Sequence, residues 1–305
     1  MSHQIPFENL DRLLNVEMRR NGLPQGVMPK VYEVARGSGA PLTQRAVEDL
    51  NATTGTVGFL TGVYFPPHFE NGEIDGPIGA VVLGSALTAL GRQAEILIEE
   101  KLVPLVEALV QQVGSSVRVV AAESVTTEQV VNGWDALVSI ERIGVAENGQ
   151  THSIVGTPFS SGFKGMDAIV NGMNAAGKPT IGIGDGGNEI GFGALYDTAR
   201  QLSPHPVAWT VTATKHVLPV CVSNLGAYAL TTGLAIVNDR LDLVPTADEV
   251  ESLIRLANSL GCLDGGTVDP NFIGDDGIPM SGIRGYVDLM GTIASQYFTP
   301  FERHF

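Results

Sequence analysis

The chain has 305 residues, 44% of them hydrophobic and 17% charged, with 37 glycines, a composition that excludes a disordered or collagen-like protein and suits a globular one. Its formal net charge of −15 argues against a nucleic-acid partner, because duplex binding needs a basic face. No apolar run reaches membrane-spanning length and the N-terminus carries no cationic apolar leader, so no membrane association and a cytoplasmic location are expected.

In chain order, apolar residues at Phe7, Leu10, Leu13, Leu14 and Met18 predict a helix over residues 7–20, ended by "NGLPQG", and a second helix spans 41–50. Residues 1–54 thus form a helical lead-in. Short apolar runs follow at 56–62, 94–99, 117–123, 136–141 and 179–185, separated by helical patterns at 77–92, 102–113, 126–134 and 164–177. Such alternation predicts a layered α/β/α fold with a largely parallel sheet. Further on, "PVAWTVTATK" (206–215) reads as strand-like and "VLPVCVS" (217–223) as a strand. An apolar helix covers 224–237, an amphipathic one 246–261, and "DDGIPMSGIRGYVDLMGTIASQ" is a turn entering a final helix. A single domain over 1–305 is expected, any boundary near 200–216 being a soft one. Cys221 and Cys262 form neither a metal pair nor a disulfide framework, and buried reduced thiols are expected.

Several apolar runs finish on a carboxylate: Glu123, Glu141 and Asp185. In parallel α/β sheets the ligand crevice lies beyond the carboxyl ends of the strands, so Glu141 and Asp185 are expected there. Glu189 follows Asp185 by four residues, and the loop after the first strand delivers Glu73 and Asp75. Converging carboxylates repel one another unless they share a cation or proton. An all-oxygen site suits Mn²⁺ or Mg²⁺, with Ca²⁺ admissible, rather than zinc. No H-E-x-x-H is present, and the histidines are scattered.

The stretch "TIGIGDGGNEIGFG" (180–193) brings backbone close to a phosphate, a metal, or the chain itself. Gly182, Gly184 and Gly187 fit G-x-G-x-x-G, yet the following run ends in threonine and lysine rather than an acid. A metal–carboxylate loop is the leading reading, with a tight turn bearing two solvated acids as the alternative. The amides at Gly184, Gly186 and Gly187, together with Asn188, are candidate donors to a substrate carboxylate or oxyanion. "SSGFKG" (160–165) is an anion site built on Ser160, Ser161 and Lys164, or a surface loop. Arg142, Lys164 and Lys215 are the cations near the glycine loop. Ser223 and Asn224 open a helix beyond a strand, where they bind substrate or cap the helix. His68 and His152 lie in loops expected to face solvent.

The segments "EIDGPIGA" (73–80), "SIERIG" (139–144), "GIGDGGNEIGFG" (182–193) and "CVSNLGAYAL" (221–230), in this order, resemble the D-glutamate cyclase C-terminal domain family. The resemblance runs from about residue 55 to the C-terminus. It implies an α/β fold, a divalent metal, and conversion of D-glutamate to 5-oxo-D-proline with loss of water. It places metal-binding roles on Asp75, Glu141, Asp185 and Glu189, and catalytic ones on Glu141, Asp185 and Glu189. Stand-alone members have also been proposed to be manganese-dependent phosphatases, and a non-catalytic metal- or nucleotide-binding protein is a third reading. A small anionic amino acid is the expected substrate, in a homo-oligomer. Val145, Pro158, Thr214, Leu225 and Ala227 depart from the family pattern, so a changed substrate-facing shell is expected.

Overall fold

Six apolar segments pair side by side in the computed structural model, which describes residues 4–19, 26–159 and 165–299. They are β1 (Thr56–Leu60), β2 (Gln93–Ile98), β3 (Arg118–Ala121), β4 (Ala136–Ile140), β5 (Thr180–Gly184) and β6 (His216–Pro219). All neighbours run parallel, in the order β3-β2-β1-β4-β5-β6. The order reverses between β1 and β4, and a crevice opens at such a switch point.

Strand side chains alternate between two cores. Val57 and Phe59, Ile96 and Ile98, Val138 and Ile140 face one apolar cluster, while Leu60, Leu97 and Leu137 face the other. Both sides being covered, the strands read as continuous apolar runs, as parallel sheets do. The larger cluster packs under α1 (Gln4–Leu14), α3 (Leu42–Ala52), α4 (Pro77–Ala89), α5 (Val103–Gln112), α9 (Ser223–Val237), α10 (Ala247–Ser259) and α11 (Met280–Phe298). The smaller lies under α6 (Thr127–Gly133) and α7 (Asp167–Ala175). A third cluster joins α2 (Val27–Arg36) and α8 (Tyr196–Ala199) to Trp209 and Val217. A two-stranded hairpin, β7 (Gly274–Asp275) and β8 (Ile278–Pro279), precedes α11. Among the described residues no helix is long and apolar enough to cross a membrane. Cys221 and Cys262 are buried free thiols.

Three expectations need correction. The first helix stops at Leu14 rather than near residue 20, because the Asn15 side chain donates to the Asp11 carbonyl (2.8 Å) and the Leu14 carbonyl accepts from Cys221 N–H (3.0 Å). Helix α2 was not foreseen. Residues 206–215 form no strand: a short 3₁₀ turn at Pro206–Ala208 gives way to isolated bridges from Thr210 to Ala146 and from Ala213 to Gly191.

Two helix starts are capped by acids distant in sequence. Asp11 accepts from the N–H groups of Leu42 (2.7 Å) and Thr43 (3.1 Å) at the start of α3. Asp75 does the same for α9, accepting from Ser223 N–H (2.8 Å) and Asn224 N–H (2.6 Å). The positive end of each helix thereby meets a carboxylate. Asn224 is also a fully buried junction. Its Oδ1 accepts from Gly76 N–H (3.0 Å) and Gly79 N–H (2.6 Å), and its Nδ2 donates to the Ile74 carbonyl (3.0 Å) and Asp275 Oδ2 (2.8 Å). It therefore ties the β1–α4 loop, α9 and the hairpin together rather than facing a ligand. Replacing Asn224 by Ala strands several buried polar groups, each costing about 1–3 kcal/mol. Urea unfolding should show a loss of about 3 kcal/mol or more, and a loss below about 1 kcal/mol would contradict this reading.

Candidate active site

The loops after β1, β4 and β5 deliver their acids to one crevice. Glu141 directly follows β4 with φ of 53°, a left-handed turn that costs energy for a residue with a Cβ. That turn directs its carboxyl group inward, where Oε2 accepts from the Ser223 hydroxyl at 2.5 Å. Asp185 directly follows β5. Glu189 lies on the same loop, which is zipped to the loop after β4 by Ile190 N–H to the Arg142 carbonyl (2.7 Å) and Gly144 N–H to the Asn188 carbonyl (2.9 Å).

Carboxylate oxygens of Glu141, Asp185 and Glu189 all lie within 4.8 Å of one another, and those of Asp75, Asp185 and Asp276 form a second such trio. The two trios share Asp185. Glu123, in a 3₁₀ turn just beyond β3, stays outside and accepts from Glu100 N–H (2.8 Å).

The glycine-rich loop closes on itself. The Glu189 carboxylate accepts from the N–H groups of Asp185 (3.3 Å), Gly186 (2.8 Å) and Gly187 (2.8 Å). Of the amides expected to meet a substrate oxyanion, those of Gly186 and Gly187 are thus engaged by the protein's own acid. Gly184 leaves room for that acid, since a Cβ there would lie 2.7 Å from the Glu189 carboxyl carbon. The backbone comes close to the chain itself, and it does so to seat a carboxylate.

A cavity of about 340 Å³ opens above these groups. Its wall combines Phe65, Phe69, Phe159, Ile143 and Ile154 with Glu73, Glu141, Asp185, Glu189 and Asp276. Arg19 and Asn188 also line it. Asn188 Nδ2 donates to the His152 carbonyl at 3.0 Å, and Asn188 Oδ1, buried, has no hydrogen-bond partner among the described residues. His68 lines the cavity, whereas His152 is buried rather than facing solvent.

Burial and crowding raise the proton affinity of these acids. Desolvation, then repulsion from Asp185, pushes Asp75 up to about 7 and Glu189 up to about 8. Glu141 is held well above the ordinary range by the same two causes, and Glu73 by burial and then Asp75. Asp185 is raised by burial against the opposing pull of Arg19. Arg19 Nη1 lies 3.1 Å from Asp185 Oδ2 and also contacts Asp276.

Residues 34–285 match the family described as D-glutamate cyclase-like, C-terminal. The chain belongs to that family. It is also 30% identical over 195 residues to the human protein D-glutamate cyclase, mitochondrial, a match covering 56% of this chain and 32% of the human one. The chain thus spans about a third of that relative's length.

In this D-glutamate cyclase-like chain, several residues expected to bind substrate serve the scaffold. Arg142 is fully buried in an ion pair with Glu99 (2.7 Å), at the end of β2, and donates to the Thr61 carbonyl (3.2 Å). Glu141 and Arg142 both lie just beyond β4, and the left-handed turn at Glu141 sends the two side chains to different surroundings. Ser223 is buried beneath Glu141, and Lys215 pairs with Asp49 (2.6 Å) away from the cavity. Ser160, Ser161 and Lys164 lie outside the described residues. None of the positions expected to depart from the family pattern lines the cavity. Val145 N–H donates to Asp167 (2.9 Å), the Thr214 hydroxyl donates to the His216 carbonyl (2.6 Å), Pro158 forms a bridge with His152, and Leu225 and Ala227 are buried in α9. These five positions serve the scaffold. Arg19 and Asp276, which do line the cavity, were not anticipated.

A carboxyl group whose folded pKa exceeds its unfolded value stabilises the fold fully below the unfolded pKa, near about 4, and loses that contribution as pH rises through the folded pKa. With Asp75 near 7 and Glu189 near 8, chelator-treated protein should melt lower at pH 9 than at pH 6. Glu141→Gln should reduce that difference. Equal melting temperatures at the two pH values would contradict the crowded-acid picture.

Proposed function

We propose that the chain is a metal-dependent lyase that closes D-glutamate, or a related small amino acid, to 5-oxo-D-proline with loss of water. The observation carrying this reading is the trio Glu141, Asp185 and Glu189, gathered within 4.8 Å under a cavity whose wall holds a further acid outside both trios, Glu73. Family membership and the human relative's name support it.

The trio fits a hard divalent ion: its donors are all oxygen, they are buried, and they bind protons at pH values where ordinary carboxylates are ionised. Mn²⁺ or Mg²⁺ would be held by Glu141, Asp185 and Glu189. Bound there, such an ion polarises the carboxyl group under attack and stabilises charge on its oxygen.

The rest falls to the chain. Lactam closure removes two protons from the substrate ammonium and adds two to the departing oxygen, which leaves as water. One carboxyl group that takes protons from nitrogen and returns them to oxygen therefore balances the reaction. Glu73 is suited to that relay, because burial and neighbouring acids raise its proton affinity. Asn188 Oδ1 is positioned to accept from the ammonium. The aromatic side of the cavity excludes water, and the reaction is intramolecular, so holding the substrate folded lowers its barrier. A phosphatase would need several positive groups for a phosphate's oxygens, whereas Arg19 is the one lysine or arginine lining the cavity among the described residues.

Calorimetry with Mn²⁺ should show binding by the wild type that is lost in Asp185→Asn and Glu141→Gln. At a hundredfold excess over its dissociation constant the ion should stabilise the fold by about 2.7 kcal/mol. Unchanged affinity in both variants would remove the metal site.

Mass spectrometry should detect lactam formed from D-glutamate by Mn²⁺-loaded protein. Glu73→Gln should lower kcat by roughly 10²–10⁴-fold while retaining the ion. Hydrolysis of p-nitrophenyl phosphate without any lactam would instead favour the phosphatase.

A further inference from the structure

The cavity poses an electrostatic problem for an anionic substrate. Five carboxyl groups lie in its wall: Glu73, Glu141, Asp185, Glu189 and Asp276. A divalent ion on the Glu141 trio would offset only part of that charge. Arg19, whose side chain is 8% exposed, lines the same cavity and contacts Asp185 and Asp276.

The segment leading to Arg19 is fastened at three points. The Leu14 carbonyl accepts from Cys221 N–H (3.0 Å), the Val16 carbonyl accepts from the Tyr286 hydroxyl, and the Glu17 carboxylate accepts from Gly26 N–H (2.6 Å). Arg19 is therefore held over the crevice by elements from both ends of the chain. It also lies outside the stretch, residues 34–285, that matches the family, so the common core need not carry it.

Asp185 and Asp276, two acids that contact it, differ in kind. Asp185 directly follows a central strand and belongs to both trios. Asp276 occupies the tip of the β7–β8 hairpin, a two-residue turn in which Asp276 and Gly277 have φ of 47° and 77°. Such a turn holds its side chain in a fixed direction, and Gly277 N–H is anchored to Asp264 (2.9 Å). The hairpin thus presents a carboxylate to the guanidinium from the cavity's rim.

We infer that Arg19 is the specificity-determining residue that receives the substrate's carboxylate, and that Asp276 holds that place on the guanidinium until the substrate displaces it. This rests on the proposed reading of the cavity as a site for a small acidic amino acid. The planar fork of an arginine matches a carboxylate, and exchange of one carboxylate for another leaves the guanidinium paired throughout. The lead segment would then set which acid is accepted, while the carboxylates at the strand ends set the chemistry.

Glutarate, a five-carbon dicarboxylate without an amine, isolates this contact. Calorimetric titration of the full Mn²⁺-loaded chain should show glutarate binding weakened at least tenfold by Arg19→Gln and less by Arg19→Lys, with Mn²⁺ binding retained. Asp276→Asn should act oppositely and tighten glutarate binding, because it removes the competitor. A purely structural clamp predicts that both substitutions weaken binding or that neither changes it, and either result overturns the inference. So does a wild type that binds no glutarate. Circular dichroism checks folding, and Asp276→Asn keeps the test open if Arg19→Gln is unstable. Glutarate binding through Arg19 without lactam formation would discard the cyclase reading and keep this one. Lactam formation with KM unchanged in Arg19→Gln would do the reverse.

Discussion

Like charge, buried at the ends of parallel strands, is the constraint to which the surrounding structure answers. Two carboxylates about 4 Å apart repel by about 4 kcal/mol at the effective dielectric of a protein. A hydrogen bond to a charged group returns about 1.5–3 kcal/mol. The protein meets each acid separately: the start of α9 for Asp75, the Ser223 hydroxyl for Glu141, three backbone amides for Glu189, and Arg19 for Asp185. These provisions reduce the repulsion without cancelling it, and the raised proton affinities express the remainder.

The fold follows from the same need. Glu189 reaches the amides of its own loop because Gly184 leaves space for its carboxyl group. Close by, a Cβ on Gly182 would lie 2.4 Å from the Ile190 carbonyl oxygen, so the loop lies directly on β5. The glycines that suggested a phosphate cradle let a loop and its acid fold back onto a strand. Asn224 secures the other side of the crevice by joining three elements at one amide.

Much of this was legible in the sequence. Each strand of the six-stranded sheet showed as a short apolar run, and Glu141 and Asp185 were readable as acids at strand ends. Strand order was not, because nothing local distinguishes β1 beside β4 from β1 beside β3. Helix α2 was missed because "VMPKVYEVAR" is short and contains a proline. Residues 206–215 misled in the other direction: their valines, tryptophan and threonines favour strands, yet they make only isolated bridges. That Arg142 would turn inward to Glu99 was not legible, because it depends on the left-handed turn at Glu141 and on a partner beyond another strand. The Asp-Gly pair at 276–277 was a visible hairpin signal, but that its acid would meet Arg19 depends on contacts between distant parts of the chain.

The cap that Asp75 places on α9 spans nearly half the sequence, and Arg19 meets Asp185 across a still longer interval. Contacts so far apart are costly to form, since closing long loops loses entropy before any contact repays it. While the chain is incomplete, Asp75 lacks its helix and the α9 amides lack their acid, so neither half of the crevice is electrostatically settled alone. Order in the crevice and order in the core therefore arrive as one cooperative event, and a nascent chain carries an unassembled cluster of acids until its distant partners emerge.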